Sequence, residues 1–404
     1  GLDGRLRPVR GVLPAVLAAQ RAGAETIMVP AASADEARLV PGIRVVGVVS
    51  LAAAALWHGA DVDVAQEGAE SVPLLDPPPS ASGEAAGDLS DIVGNADAVE
   101  ALVAAAAGGH HVLLLGPPGA GKTMLASRLP GILPDLERDA ALEVGSLRSL
   151  SGLPVGASLP VRPPLESPHH SATTASIVGG GSGQLRPGAA ARASHGVLFL
   201  DEAPEFAPAT LDALRQPLES GRISIHRAVG VAHFPARFQL VLAANPCPCG
   251  HAGARDTECS CTPHARRRYL GRMSGPLLDR IDIQLRVPRV TAAQLRMSAE
   301  GVRMTSSDAR GRVAAARDRA AFRLRGTPYT VSGQMPGPFL RSPAGAPAAG
   351  AADVLDRALE RGLLTMRGHD RVLRLAWTLA DLDGADRPSP EHVGRALYLR
   401  RATA

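Results

Sequence analysis

The chain has 404 residues, of which 45% are hydrophobic, and a formal net charge of +4 at pH 7. This composition predicts a soluble, cytoplasmic protein of two or three domains, whose mild basicity is compatible with nucleic acid without requiring it. Aromatic residues make up only 3% of the chain, which argues against a surface that stacks single-stranded bases. The most apolar stretch, residues 98–115, is broken by glutamate, glycine and histidine, which argues against a membrane span.

Residues 1–60 are predicted to form a small α/β domain. Helical spacing of apolar residues covers 11–23, and short apolar strands cover 26–29 and 43–49. The chain opens at Gly1 without a methionine or a leader, so we expect a fragment whose true start is missing. Residues 61–88 are rich in small and acidic residues around three consecutive prolines, and this composition predicts a linker.

The chain contains a single lysine, Lys122, and all its other basic residues are arginines. The lysine lies in a segment of the form G-x-x-x-x-G-K-[ST], which reads Gly116-Pro117-Pro118-Gly119-Ala120-Gly121-Lys122-Thr123. A predicted strand, 112–115, precedes it and a predicted helix, 124–129, follows it, which is the context of a phosphate-binding loop. In such a loop backbone N–H groups hold the phosphates of ATP, Lys122 neutralises their charge and the Thr123 hydroxyl binds Mg²⁺. A plain turn in a glycine-rich chain is the alternative.

Two further apolar strands are predicted, and each ends in polar residues. Residues 197–200 lead into Asp201 and Glu202, where the first can hold the water shell of Mg²⁺ and the second can polarise an attacking water. Residues 238–243 lead to Asn245, which can orient that water and sense the γ-phosphate. A solvated strand end and a turn-forming asparagine are the alternatives. We expect these strands to form the parallel sheet of a nucleotide-binding domain over residues 89–290.

Two segments between these motifs have no assigned chemistry. Residues 162–194 contain Pro168-His169-His170-Ser171, but their histidines and arginines show no spacing with a mechanism, so a flexible surface loop is as plausible as a substrate contact. Residues 221–235 alternate apolar and polar side chains like a hairpin.

All the cysteines lie in one insertion, residues 245–264. They form two Cys-x-Cys pairs, Cys247 with Cys249 and Cys259 with Cys261. Two such pairs can supply a tetrahedral thiolate site for structural Zn²⁺, although zinc fingers more often use Cys-x-x-Cys. Unligated thiols in a reducing cytosol are the alternative.

The remainder of the chain, residues 291–404, is predicted to be helical. Residues 314–325 are arginine-rich with helical spacing, 326–350 are rich in proline, glycine and serine, and 352–401 have the pattern of a helical bundle.

Four features of the chain together resemble AAA+ ATPases of the magnesium-chelatase-like group. They are the phosphate loop, the acidic strand end, Asn245 and the segment Ser274-Gly275-Pro276-Leu277-Leu278-Asp279-Arg280-Ile281-Asp282. The resemblance implies an α/β core with helices on both faces of a parallel sheet and a C-terminal helical lid. It also implies a ring in which Arg280 reaches the neighbouring subunit's nucleotide, with an arginine paired inside its own subunit as the alternative. Arg367 is the matching candidate for a second sensor arginine in the lid, or else lies on a solvated helix face. The family carries insertions such as 162–194 and 221–235 near a central pore.

The order of the segments resembles the YifB/ComM proteins over nearly the whole chain. In that resemblance residues 1–60 are the second half of a Lon-type proteolytic domain, and the position matching its catalytic lysine is Ala15, so we expect no protease activity. Resemblance to ComM implies a hexameric DNA helicase that drives branch migration, and the basic residues Arg266, Arg267, Arg268 and Arg272 agree weakly with DNA binding. A chelatase motor that energises metal insertion by a partner, and an ATP-switched scaffold, are the alternatives.

Overall fold

Short apolar runs form strands, and segments with helical spacing form helices, in the computed structural model. It describes residues 4–61, 87–180, 185–227, 230–252, 259–300, 303–362 and 364–400. The strands are β1 (Thr26–Pro30), β2 (Arg44–Val48), β3 (Val112–Leu115), β4 (Leu165–Glu166), β5 (Gly179–Gly180), β6 (Arg186–Pro187), β7 (Val197–Leu200), β8 (Arg222–Arg227), β9 (Gly230–Pro235), β10 (Gln239–Ala244) and β11 (Ile283–Arg286).

The α-helices that follow and separate these strands differ widely in length. They are α1 (Val12–Arg21), α2 (Ala34–Ala37), α3 (Leu51–Trp57), α4 (Ala96–Gly108), α5 (Lys122–Ile132), α6 (Arg138–Ser151), α7 (Thr174–Val178), α8 (Ala189–Arg192), α9 (Pro208–Ala213), α10 (Arg215–Ser220), α11 (Pro263–Leu270), α12 (Gly275–Leu278), α13 (Ala292–Glu300), α14 (Ser306–Arg323), α15 (Gly337–Leu340), α16 (Ala351–Glu360), α17 (Met366–Asp383) and α18 (Pro390–Tyr398).

The chain divides into two units. The first comprises Gly1–Ala85, Asp135–Val161 and Gly180–Pro187, and the second comprises Ala86–Pro134, Arg162–Gly179 and Gly188–Ala404. The predicted linker, 61–88, falls almost wholly outside the described residues.

The first unit pairs β1 and β2 in parallel, Thr26 opposite Arg44, and packs α1 against α6. Leu13 and Val16 of α1 are fully buried, and an added Cβ at Gly145 of α6 would lie 2.9 Å from Cδ2 of Leu13. The helices therefore approach closely where α6 has no side chain. The sequence predicted the bounds of α1, β1 and β2 to within two residues. It did not predict that α6, which lies within the nucleotide-binding segment in the sequence, packs in the first unit.

The second unit is built on a five-stranded parallel sheet in the order β11-β3-β10-β7-β4. Every residue of β3, β7 and β10 is buried, which is why their sequences are almost continuously apolar. The predicted central strands 112–115 and 197–200 are confirmed to the residue, and the third begins one residue later than predicted. The edge strands β4 and β11 were not predicted.

Helices α14, α16, α17 and α18 form the helical C-terminal region that the sequence predicted. Trp377 of α17 is fully buried and donates its indole N–H to the carbonyl of Gly345 at 2.9 Å. The predicted hairpin is also present, since β8 and β9 pair antiparallel with Ile223 opposite Phe234. Among the described residues, no helix is both long and apolar enough to cross a membrane.

Candidate nucleotide site

The phosphate loop connects β3 to α5, so the helix begins at Lys122 and directs its first backbone N–H groups at the loop. Gly119 and Gly121 adopt left-handed conformations, with φ of 76° and 87°, which favour glycine. Gly116 is required for another reason, because an added Cβ would lie 2.2 Å from the carbonyl oxygen of Val287 after β11. The loop is therefore shaped by backbone packing and presents a helix N-terminus suited to anions.

Lys122 lies at the centre of this loop and is buried, with 8% of its surface exposed. Its Nζ donates to the carbonyls of Gly116 at 2.7 Å and Pro117 at 3.0 Å, and to Oδ1 of Asn245 at 3.1 Å. Burial lowers the pKa of Lys122, and the nearby carboxylates of Asp201 and Glu202 oppose that effect. The structure thus brings the predicted loop lysine and the predicted strand-end asparagine into direct contact.

The two acidic residues follow β7 directly. The hydroxyl of Thr123 donates to Oδ2 of Asp201 at 2.7 Å, and the backbone N–H of Glu202 donates to Oδ1 of Asp201 at 2.9 Å. Glu202 has φ of 52°, a left-handed conformation that is uncommon for a residue with a side chain and is found at functional sites. A hydroxyl and a carboxylate oxygen in contact are ligands that Mg²⁺ prefers, so Thr123 and Asp201 fit the metal predicted for them.

His170, which the sequence left without a role, lies at these acids. Its Nδ1 is 3.4 Å from Oε2 of Glu202, and its ring stacks on His169 with centroids 4.0 Å apart. A cavity of about 260 Å³ is lined by Ser167, Pro168, His169, His170, Asp201 and Glu202. The segment after edge strand β4 therefore lines the candidate site. The pairing of β4 with β7 brings this segment to the acidic residues, and sequence spacing does not reveal that pairing.

The two candidate arginines make other contacts. Arg280 donates to the carbonyl of Pro276 at 2.5 Å and pairs with Glu219, and Arg367, three-quarters exposed, pairs with Asp279 at 3.1 Å. Within the described part of the chain, none of these bonds reaches the phosphate loop or the acids. Glu219 is a partner that the sequence did not suggest for Arg280.

A neighbouring arginine of the lid is better anchored than Arg367. Arg371 donates to Oδ1 of Asp282 at 2.5 Å and to the carbonyl of Arg280 at 3.0 Å. Burial raises the pKa of Asp282, but Arg371 and a hydrogen bond from His110 outweigh it and hold this pKa well below its usual range. Helix α17 is thus fixed to the segment that carries Arg280.

The four cysteine sulfur atoms, here called the cysteine cluster (Cys247, Cys249, Cys259 and Cys261), all lie within 4.8 Å of one another. Three of the Sγ···Sγ distances are 3.3, 3.5 and 3.6 Å. Sulfur atoms bound tetrahedrally at the usual Zn–S distance are about 3.8 Å apart. The backbone N–H of Ala252 points at Sγ of Cys247 at 3.3 Å. Hydrogen bonds, that from the backbone of His251 foremost, lower the pKa of the Cys249 thiol to about 6, whereas burial raises the pKa of Cys247. The cluster can therefore hold a metal ion.

Comparison with protein families identifies most of the second unit. The family model described as magnesium chelatase, subunit ChlI, matches residues 88–295, and the model of the ChlI C-terminal region matches residues 303–400. Together these matches cover the sheet, the site and the helical C-terminal region.

Similarity to individual proteins extends over the whole chain. An uncharacterized protein of Mycobacterium tuberculosis is 49% identical over 404 residues, which are 100% of this chain and 78% of that protein. Competence protein ComM of Haemophilus influenzae is 38% identical over 410 residues, covering 99% of this chain and 76% of ComM. YifB of Escherichia coli, itself uncharacterized, is 37% identical over 399 residues, covering 99% and 75%. The chain therefore belongs to the magnesium-chelatase-like AAA+ family and, within it, to the group that contains ComM and YifB.

Proposed function

We propose that the protein is a Mg²⁺-dependent ATPase that works as a ring-forming motor on DNA. The observation that supports ATP hydrolysis best is that hydrogen bonds bring together residues from three sequence-distant segments. Thr123 bonds to Asp201, and Lys122 bonds to Asn245, so the loop contacts the ends of both β7 and β10. In parallel α/β sheets ligands bind at the carboxyl ends of the strands, where these residues lie.

The residues divide the chemistry of phosphoryl transfer among them. The backbone N–H groups of the loop and the ammonium of Lys122 bind the phosphates, while Thr123 and Asp201 would hold Mg²⁺, which neutralises charge that develops on the phosphate oxygens. Glu202 orients and deprotonates the attacking water, and Asn245 orients the same water or the γ-phosphate.

The arginines extend this proposal to a ring. Among the described residues, the side chain of Arg280 bonds to Pro276 and Glu219, and neither bond reaches the phosphate loop or the acids after β7. We infer that Arg280 acts on the nucleotide of a neighbouring subunit in a homo-oligomer, most simply a hexamer, with Arg367 assisting from α17. Hydrolysis would then require assembly.

The proposal that DNA is the substrate depends on similarity to a named relative and on exposed positive charge. A relative with which the chain shares 38% identity is named a competence protein. Helix α11 presents Arg267 and Arg268 to solvent, while Arg272 pairs with Glu205 at 3.5 Å and contributes less free charge. Exposed arginines of this kind bind phosphate backbones through charge and paired N–H groups.

A second candidate function is a motor that energises metal insertion by a partner protein. The specific observation in its favour is that both matching family models are described as parts of a magnesium chelatase subunit. An ATP-switched scaffold would use the same site without mechanical work.

Two further parts of the proposal concern the cysteines and the first unit. We propose that the cysteine cluster binds Zn²⁺ as a structural ion, with the protein in a reducing cytoplasm that keeps its thiols available. We also propose that residues 1–60, which lie in the first unit, are part of a Lon-like domain without protease activity. Ala15 is exposed on α1, and the chain's single lysine is in the phosphate loop, so no lysine is left to activate a serine.

ATP hydrolysis measured without DNA, with linear duplex, and with forked or four-way DNA tests the proposal. We expect turnover that requires Mg²⁺, rises most with branched DNA, and shows an affinity for DNA that falls with salt. Lys122→Ala is the matched control for contaminating ATPases. Hydrolysis that no DNA stimulates, together with absent DNA binding at low salt, would reject the DNA motor and favour the metal-insertion motor.

A further inference from the structure

Two structural connections link the cysteine cluster to the phosphate loop, and the family assignment explains neither of them. The first runs along the chain. Asn245, whose Oδ1 accepts a hydrogen bond from Lys122 at 3.1 Å, stands two residues before Cys247. Cys247 is itself fully buried, so the chain enters the cysteine cluster directly after β10 and Asn245.

The second connection is a packing contact. The backbone N–H of Gly250 donates to the carbonyl of Cys247 at 2.9 Å, which closes a turn around Cys249. This turn lies against the ring of Pro118 in the phosphate loop, because an added Cβ at Gly250 would be 2.6 Å from Cδ of that proline. Gly250 is in the left-handed region, with φ of 80°, so both its conformation and its surroundings require glycine.

The other cysteine pair is tied back to the same asparagine. Cys261 precedes Thr262, whose side chain accepts the N-terminal N–H of Ala265 in α11, and the carbonyl of Cys261 accepts Nε of Arg266 at 3.1 Å. On the same helix, burial raises the pKa of Tyr269 to about 12, and the nearby backbone N–H of Asn245 opposes that rise. The cluster therefore joins the two chain segments that hold Asn245 in place.

We propose that a divalent zinc ion in the cysteine cluster positions Asn245 and the phosphate loop, so that metal occupancy and nucleotide binding are coupled. This inference rests on the proposed binding of ATP at the loop. When the four thiolates bind one zinc ion, the turn that ends at Gly250 is held in place. Because this turn packs against Pro118, it limits the movement of that proline. Coupling between two binding sites is reciprocal, so bound nucleotide must also strengthen the hold on the metal.

The reciprocal effect gives a test that does not depend on turnover. The purified 404-residue chain is analysed for zinc by mass spectrometry and for nucleotide binding with a fluorescent ATP analogue. The affinity for zinc is then measured by equilibrium competition with a zinc chelator of known affinity, with and without Mg²⁺ and a slowly hydrolysed ATP analogue. We expect one zinc per chain and a zinc dissociation constant that saturating nucleotide lowers about fivefold or more.

Variants separate the coupling from its two components. Lys122→Ala should keep its zinc and lose the effect of nucleotide on zinc affinity. Pro118→Ala leaves every cysteine in place but removes the ring that Gly250 contacts, so it should keep zinc and show a smaller effect of nucleotide. Ser260→Ala, between two ligand cysteines, is the matched control and should behave like the unaltered chain.

The possible failures have different meanings. In a chain that binds both zinc and the fluorescent nucleotide, an equal zinc affinity with and without nucleotide would overturn the coupling and leave the proposed ATPase intact. A chain that binds nucleotide but contains no zinc would overturn the metal site. A chain that contains zinc but binds no nucleotide would overturn the proposed function, and this inference with it.

Discussion

Oγ1 of Thr123 lies 2.7 Å from Oδ2 of Asp201, so the first turn of α5 and the end of β7 share one hydrogen bond. Thr123 and Asp201 would hold a divalent ion in place of this hydrogen bond, with the Thr123 hydroxyl keeping its proton. We expect Asp201→Asn to raise the Mg²⁺ concentration needed for half-maximal hydrolysis by about tenfold or more, because a ligand charge is lost. Thr123→Ser retains the hydroxyl and is the control. An unchanged Mg²⁺ titration for Asp201→Asn would refute the assignment.

Glu202 combines a strained backbone with an exposed carboxylate beside Asp201. If it is the general base, Glu202→Gln should lower the turnover number by about 10² to 10⁴ and leave ATP affinity nearly unchanged. Single-turnover hydrolysis and nucleotide binding, measured on the same preparation, distinguish loss of chemistry from loss of binding. Full turnover in this variant would exclude the role.

His170 is expected to position Glu202, since its Nδ1 is 3.4 Å from Oε2 of that residue. His170→Ala should lower the turnover number by about tenfold or more at an unchanged KM, because a misplaced base weakens the chemical step more than substrate binding. His170→Gln, which keeps an N–H donor, should recover part of the loss. The exposed His264→Ala serves as control, and a KM change alone would show a merely structural role for His170.

Arg280 pairs with Glu219 in its own chain, which leaves its action on a neighbouring subunit to be tested directly. Arg280→Ala should lower hydrolysis by about 10³ or more. Mixing it with Lys122→Ala should restore part of the activity, because the second variant supplies an intact arginine to the intact site of the first. Arg361→Ala, an exposed arginine at the end of α16, is the control. Failure of the mixture to recover would place the action of Arg280 within its own subunit.

The protein should lose stability on mild acidification because of His111. Burial lowers the pKa of this histidine to about 4, against an opposing effect of Asp282, and its Nδ1 accepts the backbone N–H of Leu240 at 3.0 Å. The folded state then binds fewer protons than the unfolded state between pH 4 and 6.5. The associated stability is complete above pH 6.5 and is lost as pH falls toward 4, by about 2 to 3 kcal/mol.

Urea unfolding at pH 7.5 and 5.0 measures this loss. His111→Asn retains an acceptor near Nδ1 and cannot titrate, so its stability should fall less between the two pH values. Equal losses in the variant and the unaltered chain would assign the pH dependence to other groups.

Central strands were predictable from sequence because burial on both faces selects unbroken apolar runs such as Val112–Leu115. The edge strands were not, since β4 has two residues and β11 alternates Ile283, Gln284, Leu285 and Arg286. Such segments become strands only through pairing with distant neighbours.

The same distinction holds for the site. Lys122 is marked by the phosphate-loop motif, and Asp201 and Asn245 are marked by their places after recognisable strands; the structure brings all three together. The approach of His170 to Glu202 and the pairing of Arg280 with Glu219 depend on contacts between residues 32 and 61 positions apart. No local pattern encodes a contact at that separation. Helix α6, which packs in the first unit, escaped prediction for the same reason.

The ammonium of Lys122 has three hydrogens and three acceptors within the protein: two loop carbonyls and one amide oxygen. A phosphate that binds this lysine must therefore exchange with a protein acceptor. An anion of low charge gains little binding free energy by such an exchange, whereas a triphosphate offers several charged oxygens at once. If the loop binds a triphosphate as proposed, the hydrogen bonds that Lys122 already makes would favour this polyvalent ligand over small anions.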